Sequence, residues 1–322
     1  MGVQDVLTKQ YMSRNDVFAQ LCNYYIFDGM DGIHPEDLRE ADTAERILLT
    51  EAGGKRKAVE RFRDVLKQSV LKLTENLGIL LIGLENQTKL HYAMPVRSML
   101  YDALTYSEQI SNLSREHREQ GDAMTSGEFL SGMTAKDRLI PVVTVVVNFA
   151  TEPWTAPCSL HEMLEETSPG VLHCINDYRI NLIDPHQMSE EDFQKIKGSL
   201  QYVLRFIGAS ANREEMSELL NKYCNVYSHM EREVAVMLSE CTNVKLEIEE
   251  KEEVVDMCKA WDDMAKECME QGLERGEQLG DAKRVLQSVS NLMQKSEYSL
   301  SEACELLGIS LSEYENARVV IG

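Results

Sequence analysis

The spacing of apolar and polar positions changes period along the chain. Val17, Phe18, Leu21, Cys22 and Tyr25 recur at helical spacing behind Asn15-Asp16, a pair suited to capping a helix, and the pattern stops near Asp28-Gly29. Polar turns at Pro35-Glu36-Asp37 and at 42–45, then the Gly53-Gly54 break, separate this helix from a stretch of different period. From Arg61 onward, Phe62, Leu66 and Val70 predict one face of an extended strand, with Asp64 on that same apolar face. Leu77 to Leu84 is a continuous apolar run of strand length, as expected of a strand covered on both sides, and Glu85 stands at its end. Pro95 opens a helix predicted over 96–111, and a Gly- and Ser-containing loop over 121–132 leads to the β-branched run Pro141 to Phe149, a third buried strand.

Beyond about Ser189 the pattern is nearly all helical, over 191–206, 213–238 and 252–271. Gly272, Gly276 and Gly280 then recur every fourth residue, which fits either a helix making close contact, for instance between two subunits, or a linker. Ser299 with Glu302, and Ser310 with Glu313, match capping boxes of two short helices divided by Gly308. Strands separated by a long helix and followed by helices predict an α/β fold with a mixed sheet and an all-α C-terminal extension. The expected divisions are 1–188 for the sheet domain, 189–271 for an acidic helical extension, 272–285 for a Gly-containing linker or helix, and 286–322 for a small helical unit.

With 322 residues, 43% of them apolar and 27% charged, the chain can build a real core, which argues against global disorder. No run approaches the roughly 18 apolar residues of a membrane span, and the N-terminus has no basic segment followed by a hydrophobic one. Eight singly scattered cysteines without a C-x-x-C pair suit reduced thiols, so a cytoplasmic protein without a membrane partner is expected. The net charge of −21 opposes contact with nucleic acid, but it divides unevenly, −4 over residues 1–150 and −17 over 151–322. Between Glu51 and Lys72, seven basic residues face three acidic ones.

Chemistry concentrates around two carboxylates. An acid on the apolar face of a strand costs several kcal/mol to bury unless its charge is compensated. Asp64 is therefore either a salt-bridge partner or part of a site. Glu85 and Gln87, two apart at the end of a buried strand, project to one side. Two carboxylates meeting at neighbouring strand ends suit a hard divalent ion, and Gln87 can orient a water by hydrogen bonds. Arg97 and Tyr101 are one helical turn apart, suited to a phosphate and a neighbouring side chain, although a solvated helix face explains them about as well. Arg61 and the Lys55-Arg56-Lys57 run suit a DNA backbone or a solvent-facing loop. Cys158, His161, His173 and Cys174 are zinc-type residues, but adjacent His and Cys close one tetrahedral site poorly, and ordinary structural roles are expected.

The order of these features, an Asp, about twenty residues, then an acidic and a polar residue flanking one position at a strand end, then a helix, resembles the PD-(D/E)XK nuclease superfamily. More closely, Arg63-Asp64-Val65-Leu66-Lys67, Ile82-Gly83-Leu84-Glu85-Asn86-Gln87-Thr88 and Tyr92-Ala93-Met94-Pro95-Val96-Arg97-Ser98-Met99-Leu100-Tyr101-Asp102 resemble the Rpn family of recombination-promoting nucleases, also described as transposases. The likeness spans about residues 15–280, continues through Leu139 to Phe149, Pro153 to Pro157 and Ser159-Leu160-His161, and is most specific between 61 and 109. It implies a restriction-endonuclease-like mixed sheet flanked by helices. The activity implied is an endodeoxyribonuclease using Mg²⁺, with Mn²⁺ as substitute, and DNA as partner. Asp64 and Glu85 are implied as metal carboxylates, and Gln87 stands where the wider superfamily has Lys, a form usual in this family. Asn23 is the polar residue expected from the first helix, with Arg61, Arg63, Arg97 and Tyr101 in supporting or DNA-contacting roles. Gln20 departs from the pattern, which has an acid there. A homodimer through the C-terminal helices is a further expectation, and a nuclease-fold regulator without strong catalysis is the alternative function.

Overall fold

The computed structural model describes residues 2–41, 44–50, 56–62, 64–72, 77–242, 244, 248, 253–295 and 298–321, with side chains left aside at 44–50, 56–62, 70–72, 77–78, 267–268, 271 and 295. Two compact units divide at Val255/Asp256.

The first unit opens with helices α1 (Val3–Met12) and α2 (Asn15–Phe27). Helix α2 ends where predicted, with Asp28 left-handed at φ 52° as its cap. Strand β1 (Leu38–Glu40) follows, then an antiparallel ribbon of β2 (Ala44–Thr50) and β3 (Arg56–Phe62) that forms a sheet of its own. Strand β4 (Val65–Lys72), β5 (Leu77–Gln87), helix α3 (Met94–Gln120), the short α4 (Ser126–Ser131) and β6 (Val142–Asn148) come next, then the short helix α5 (Pro169–His173) and β7 (Asn181–Ile183). The main sheet has the order β1-β4-β5-β6-β7. Its left half, β1-β4-β5, is antiparallel, and its right half, β5-β6-β7, is parallel. The molecule is thus a mixed α/β protein built on a five-stranded mixed sheet.

The lack of alternation in β5 follows from cover on both faces. Side chains alternate along a strand, so Ile82, Leu84 and Asn86 share a face with Val65 and Lys67 of β4, whereas Glu85 and Gln87 share the opposite one. The Lys67 ammonium meets the α1–α2 junction, donating to the Ser13 carbonyl at 2.6 Å, so the first face lies under those helices. Glu85 is joined to Arg97 of α3, so the second lies under α3. Helix α3 is also tied to β6: the Thr144 hydroxyl donates to Asp102 at 2.6 Å, and the Gln109 carboxamide both donates to and accepts from the Ile140 backbone.

The predicted division at 188/189 is absent from this unit. Helices α6 (Glu190–Lys195), α7 (Leu200–Ala209), α8 (Arg213–Lys222), α9 (Cys224–Tyr227) and α10 (Arg232–Thr242) belong with the sheet, and strands β8 (Met230–Glu231) and β9 (Val254–Val255) close it. Bonds of long sequence range cause this. The Leu200 amide donates to the Gln20 carboxamide at 2.9 Å, Arg14 pairs with Glu231 at 2.6 Å, and Gln4 donates to the Glu240 carbonyl. The helix expected over 191–206 breaks before α7 at Gly198, whose φ of +96° suits glycine and where a Cβ would lie 2.6 Å from the Gln20 side chain.

The second unit holds α11 (Met257–Lys295), α12 (Leu300–Leu307) and α13 (Leu311–Ile321). Both predicted capping boxes are present, at Ser299/Glu302 and Ser310/Glu313, and Gly308 is left-handed at φ 67°. Val289, Ala303 and Cys304 form a small core with Leu292, Leu300, Ile309 and Tyr314. Gly272, Gly276 and Gly280 lie inside α11, so the segment is helix and not a linker. Among the described residues no helix is long and apolar enough to cross a membrane.

Candidate active site

A cavity of about 420 Å³ opens where β5 ends, bounded by the start of α1, the 88–91 turn and the first turn of α3. The carboxyl end of a strand whose neighbour runs parallel is where α/β folds commonly place ligands, because the chain must leave the sheet there and open a crevice. Asp64, Asn86, Gln87 and Arg97 line it, together with Asp5, Thr88, Lys89 and His91.

Asp64 is not on the apolar face of a strand. It occupies the bend between β3, paired with β2, and β4, paired with β5, so the continuous strand read from Arg61 to Val70 is two strands in different sheets. The half-buried carboxylate turns onto β5, where its Oδ2 accepts from the Asn86 amide at 2.8 Å. Burial raises its pKa above the ordinary carboxylate value, while the Asn86 amide, Arg97 and Lys9 act in the opposite direction.

Glu85 is fully buried, at 0% exposure, and is absent from the cavity wall. Its Oε2 lies 3.0 Å from Nη2 of Arg97, which is 31% exposed and does line the cavity. Burial works against the Arg97 charge, but Glu85, Tyr101 and Asp64 outweigh it and hold the guanidinium pKa above its usual value. Tyr101 is 2% exposed, with the guanidinium 5.6 Å from its ring centre, so it supports Arg97 from beneath and is closed to a bulky ligand. Gln87, the last residue of β5, reaches the cavity, and its carbonyl accepts the Phe149 amide at 2.8 Å.

Two candidates from sequence are not brought here. Asn23 points to the turn after α2: its carboxamide oxygen accepts from the Gly32 and Ile33 amides at 3.0 and 2.8 Å, and its nitrogen donates to the Ile33 carbonyl at 2.9 Å. Those bonds consume the group, so it is a loop anchor. Gln20, where an acid was expected, holds the start of α7. Arg61 is described only as backbone of β3, and Arg63 lies outside the described residues. The zinc-type residues disperse: the Cys158 thiol donates to the Ala156 carbonyl, His161 Nε2 meets the Ile175 carbonyl at 2.8 Å, and no disulfide joins the described cysteines.

Sequence reasoning missed Asp5 and His91. Asp5 arrives on α1, accepting from the Gly2 amide at 2.9 Å and the Thr88 hydroxyl at 2.8 Å. An acidic residue in the first turn, with Leu7 and Tyr11 one turn apart behind it, was the available signal for this helix and its acid. His91 carries no legible signal; burial, and then the Arg97 charge, lower its pKa, and its Nδ1 is buried without a hydrogen-bond partner among the described residues. Among those residues no group of three or more His, Cys, Asp or Glu side chains is gathered as a metal site. No family model, curated protein or solved structure matches the chain.

Proposed function

We propose that the protein is a metal-dependent DNA endonuclease, a phosphodiester hydrolase of the PD-(D/E)XK type that its sequence resembles, with Asp64 and Glu85 as metal carboxylates and Gln87 beside them. The observation that carries this reading is the gathering of Asp64, Gln87 and Arg97 at one cavity on the carboxyl end of β5, with Glu85 buried and ion-paired to Arg97. A sheet that is antiparallel on one side of β5 and parallel on the other is compatible with it.

The donors suit Mg²⁺, or Mn²⁺ in its place, because Mg²⁺ takes one or two carboxylates and completes its shell with water and phosphate oxygens. When bound, such an ion supplies an activated water and stabilises the leaving oxygen of a phosphodiester. The chain's own groups do the positioning. The Asn86 amide holds the Asp64 carboxylate in one orientation. Gln87 offers a neutral hydrogen-bonding group for a water, and Arg97 and Lys89 bring positive charge to the wall where a phosphate would lie. Purified full-length protein is expected to nick or cut supercoiled plasmid in Mg²⁺, and Asp64→Ala and Glu85→Ala to stop this. Unchanged cleavage in both variants removes these residues from the mechanism.

One observation favours a second reading, a nuclease-fold regulator without strong catalysis: Glu85 already has a countercharge in Arg97 and no opening to the cavity of its own. Calorimetric titration with Mg²⁺ separates the two, since a regulator need not hold the ion. Cytoplasmic location, recombination as the biological setting and a homodimer through the C-terminal helices belong to the first proposal, and sedimentation equilibrium of the full chain checks the last.

A further inference from the structure

Two arginine–glutamate pairs in the first unit are built in opposite senses. In Arg205–Glu190 the cation is the buried member, 6% exposed and stacked between Phe193 at 4.5 Å and Tyr223 at 5.1 Å, while the carboxylate is half exposed. In Arg97–Glu85 the anion is the buried member and the cation is the part that meets the cavity. A fully buried carboxylate needs a countercharge at all times, because the desolvation cost of leaving it alone is several kcal/mol. Here that countercharge also lines the cavity, whereas the carboxylate does not.

The position of Arg97 reinforces the point. It lies in the first turn of α3, two residues after Pro95, where the unsatisfied amides make the helix end positive and disfavour a cation. Glu85, at 3.0 Å, offsets that disadvantage most, followed by Tyr101 of the same helix and then Asp64. A divalent ion at those carboxylates would meet the guanidinium at short range as a like charge. Each then weakens the other's hold, and the coupling is reciprocal.

We propose that Arg97 is a resident counter-cation that competes with the divalent ion for Glu85, so that metal loading displaces its guanidinium from Glu85 toward the cavity. This rests on the reading of Asp64 and Glu85 as metal carboxylates. It makes Arg97 a positioning residue that keeps the metal-free carboxylate neutralised and couples ion entry to the presentation of a phosphate-binding group.

The test is Mn²⁺ binding by the full-length protein without DNA, measured by calorimetry for wild type, Arg97→Met, Glu85→Gln and Asp64→Asn. The expected result is at least a tenfold tighter Mn²⁺ affinity in Arg97→Met, with affinity lost in Glu85→Gln and Asp64→Asn. Affinity that is lost in those two variants but unchanged or weaker in Arg97→Met overturns the competition and leaves the metal reading standing. Mn²⁺ binding that is absent throughout, or insensitive to both carboxylate variants, overturns the metal reading and the competition together. Should Arg97→Met fail to fold, the Arg97 Nε–Hε resonance of wild type decides: a shift on saturation with Mg²⁺ supports displacement, and an unmoved signal overturns it.

Discussion

Lys67 and Glu85 are buried charges on neighbouring strands of one sheet, 1% and 0% exposed, and they face opposite sides of it. Lys67 is enclosed by fixed protein groups: it donates to the Ser13 carbonyl and the Asn15 carboxamide, pairs with Glu40 at 2.7 Å, and lies 5.5 Å from the Phe18 ring centre. A backbone carbonyl and a helix-end side chain cannot leave, so this charge fastens the α1–α2 junction to β4. Glu85 instead pairs with a guanidinium that borders a cavity. The hydrogen bonds of Lys67 go to groups fixed in the α1–α2 junction, beside the exposed Glu40, whereas the ion-pair partner of Glu85 lines a cavity where it can exchange. An exchangeable partner at a cavity, more than burial, marks the second face as the candidate site.

Four measurements test whether the two buried charges differ in this way. The largest effect is expected at the exchangeable face, where Glu85→Ala or Asp64→Ala lowers plasmid cleavage by about 10²- to 10³-fold or more, the scale on which charge-stabilising groups act. Cleavage within a few fold of wild type in both variants would erase the distinction. Next, Lys67→Met is expected to lower stability by about 2–4 kcal/mol, through the carbonyl and carboxamide left without their donor, while the folded fraction retains its cleavage rate. Urea unfolding gives the first quantity, and a rate that drops with stability unchanged would place Lys67 in the chemistry.

Asp64→Asn sharpens the contrast. Its carboxamide oxygen still accepts the Asn86 amide, so stability is expected to stay within about 1 kcal/mol while cleavage is lost. A large fall in stability would make Asp64 a structural partner. The smallest effect concerns His117, a third kind of ionic contact, closed and near the surface. Its Nδ1 lies 2.7 Å from Asp122 and its Nε2 2.9 Å from Asp137, which raise its pKa. A raised folded pKa makes the contribution to stability complete below the unfolded value of about 6.5 and lost as pH climbs through the folded value. Wild type should therefore exceed His117→Asn in stability by more at pH 6 than at pH 8.5, in paired urea titrations. An equal gap at both would show that the bracket is not ionic.

Elements whose signal is local were legible. Helix α2, the buried runs of β5 and β6, and the two tail capping boxes stand where the periodicity and the capping residues put them, because backbone geometry and neighbouring side chains decide them. The bend at Asp64 was not legible. Phe62, Leu66 and Val70 alternate as one strand would, and only the partners, β2 for one part and β5 for the other, split the run. The same cause hid the break at Gly198, which answers to Gln20 nearly 180 positions away, and misdirected Asn23, whose side chain serves its own loop.

At the candidate site, chain order alone puts Glu85 and Gln87 at the end of the central strand, with a carboxylate and a basic helix start on either side. Those are facts of order and spacing along the chain. That Asp64 reaches the Asn86 amide, that Asp5 of α1 enters the same cavity, and that Arg97 lines it while its partner Glu85 is buried follow from the packing of the elements on one another. The reason is that these are relations between elements far apart in sequence. Which of two opposite charges faces the cavity depends on how α3 packs on the sheet, and no spacing within either element encodes it.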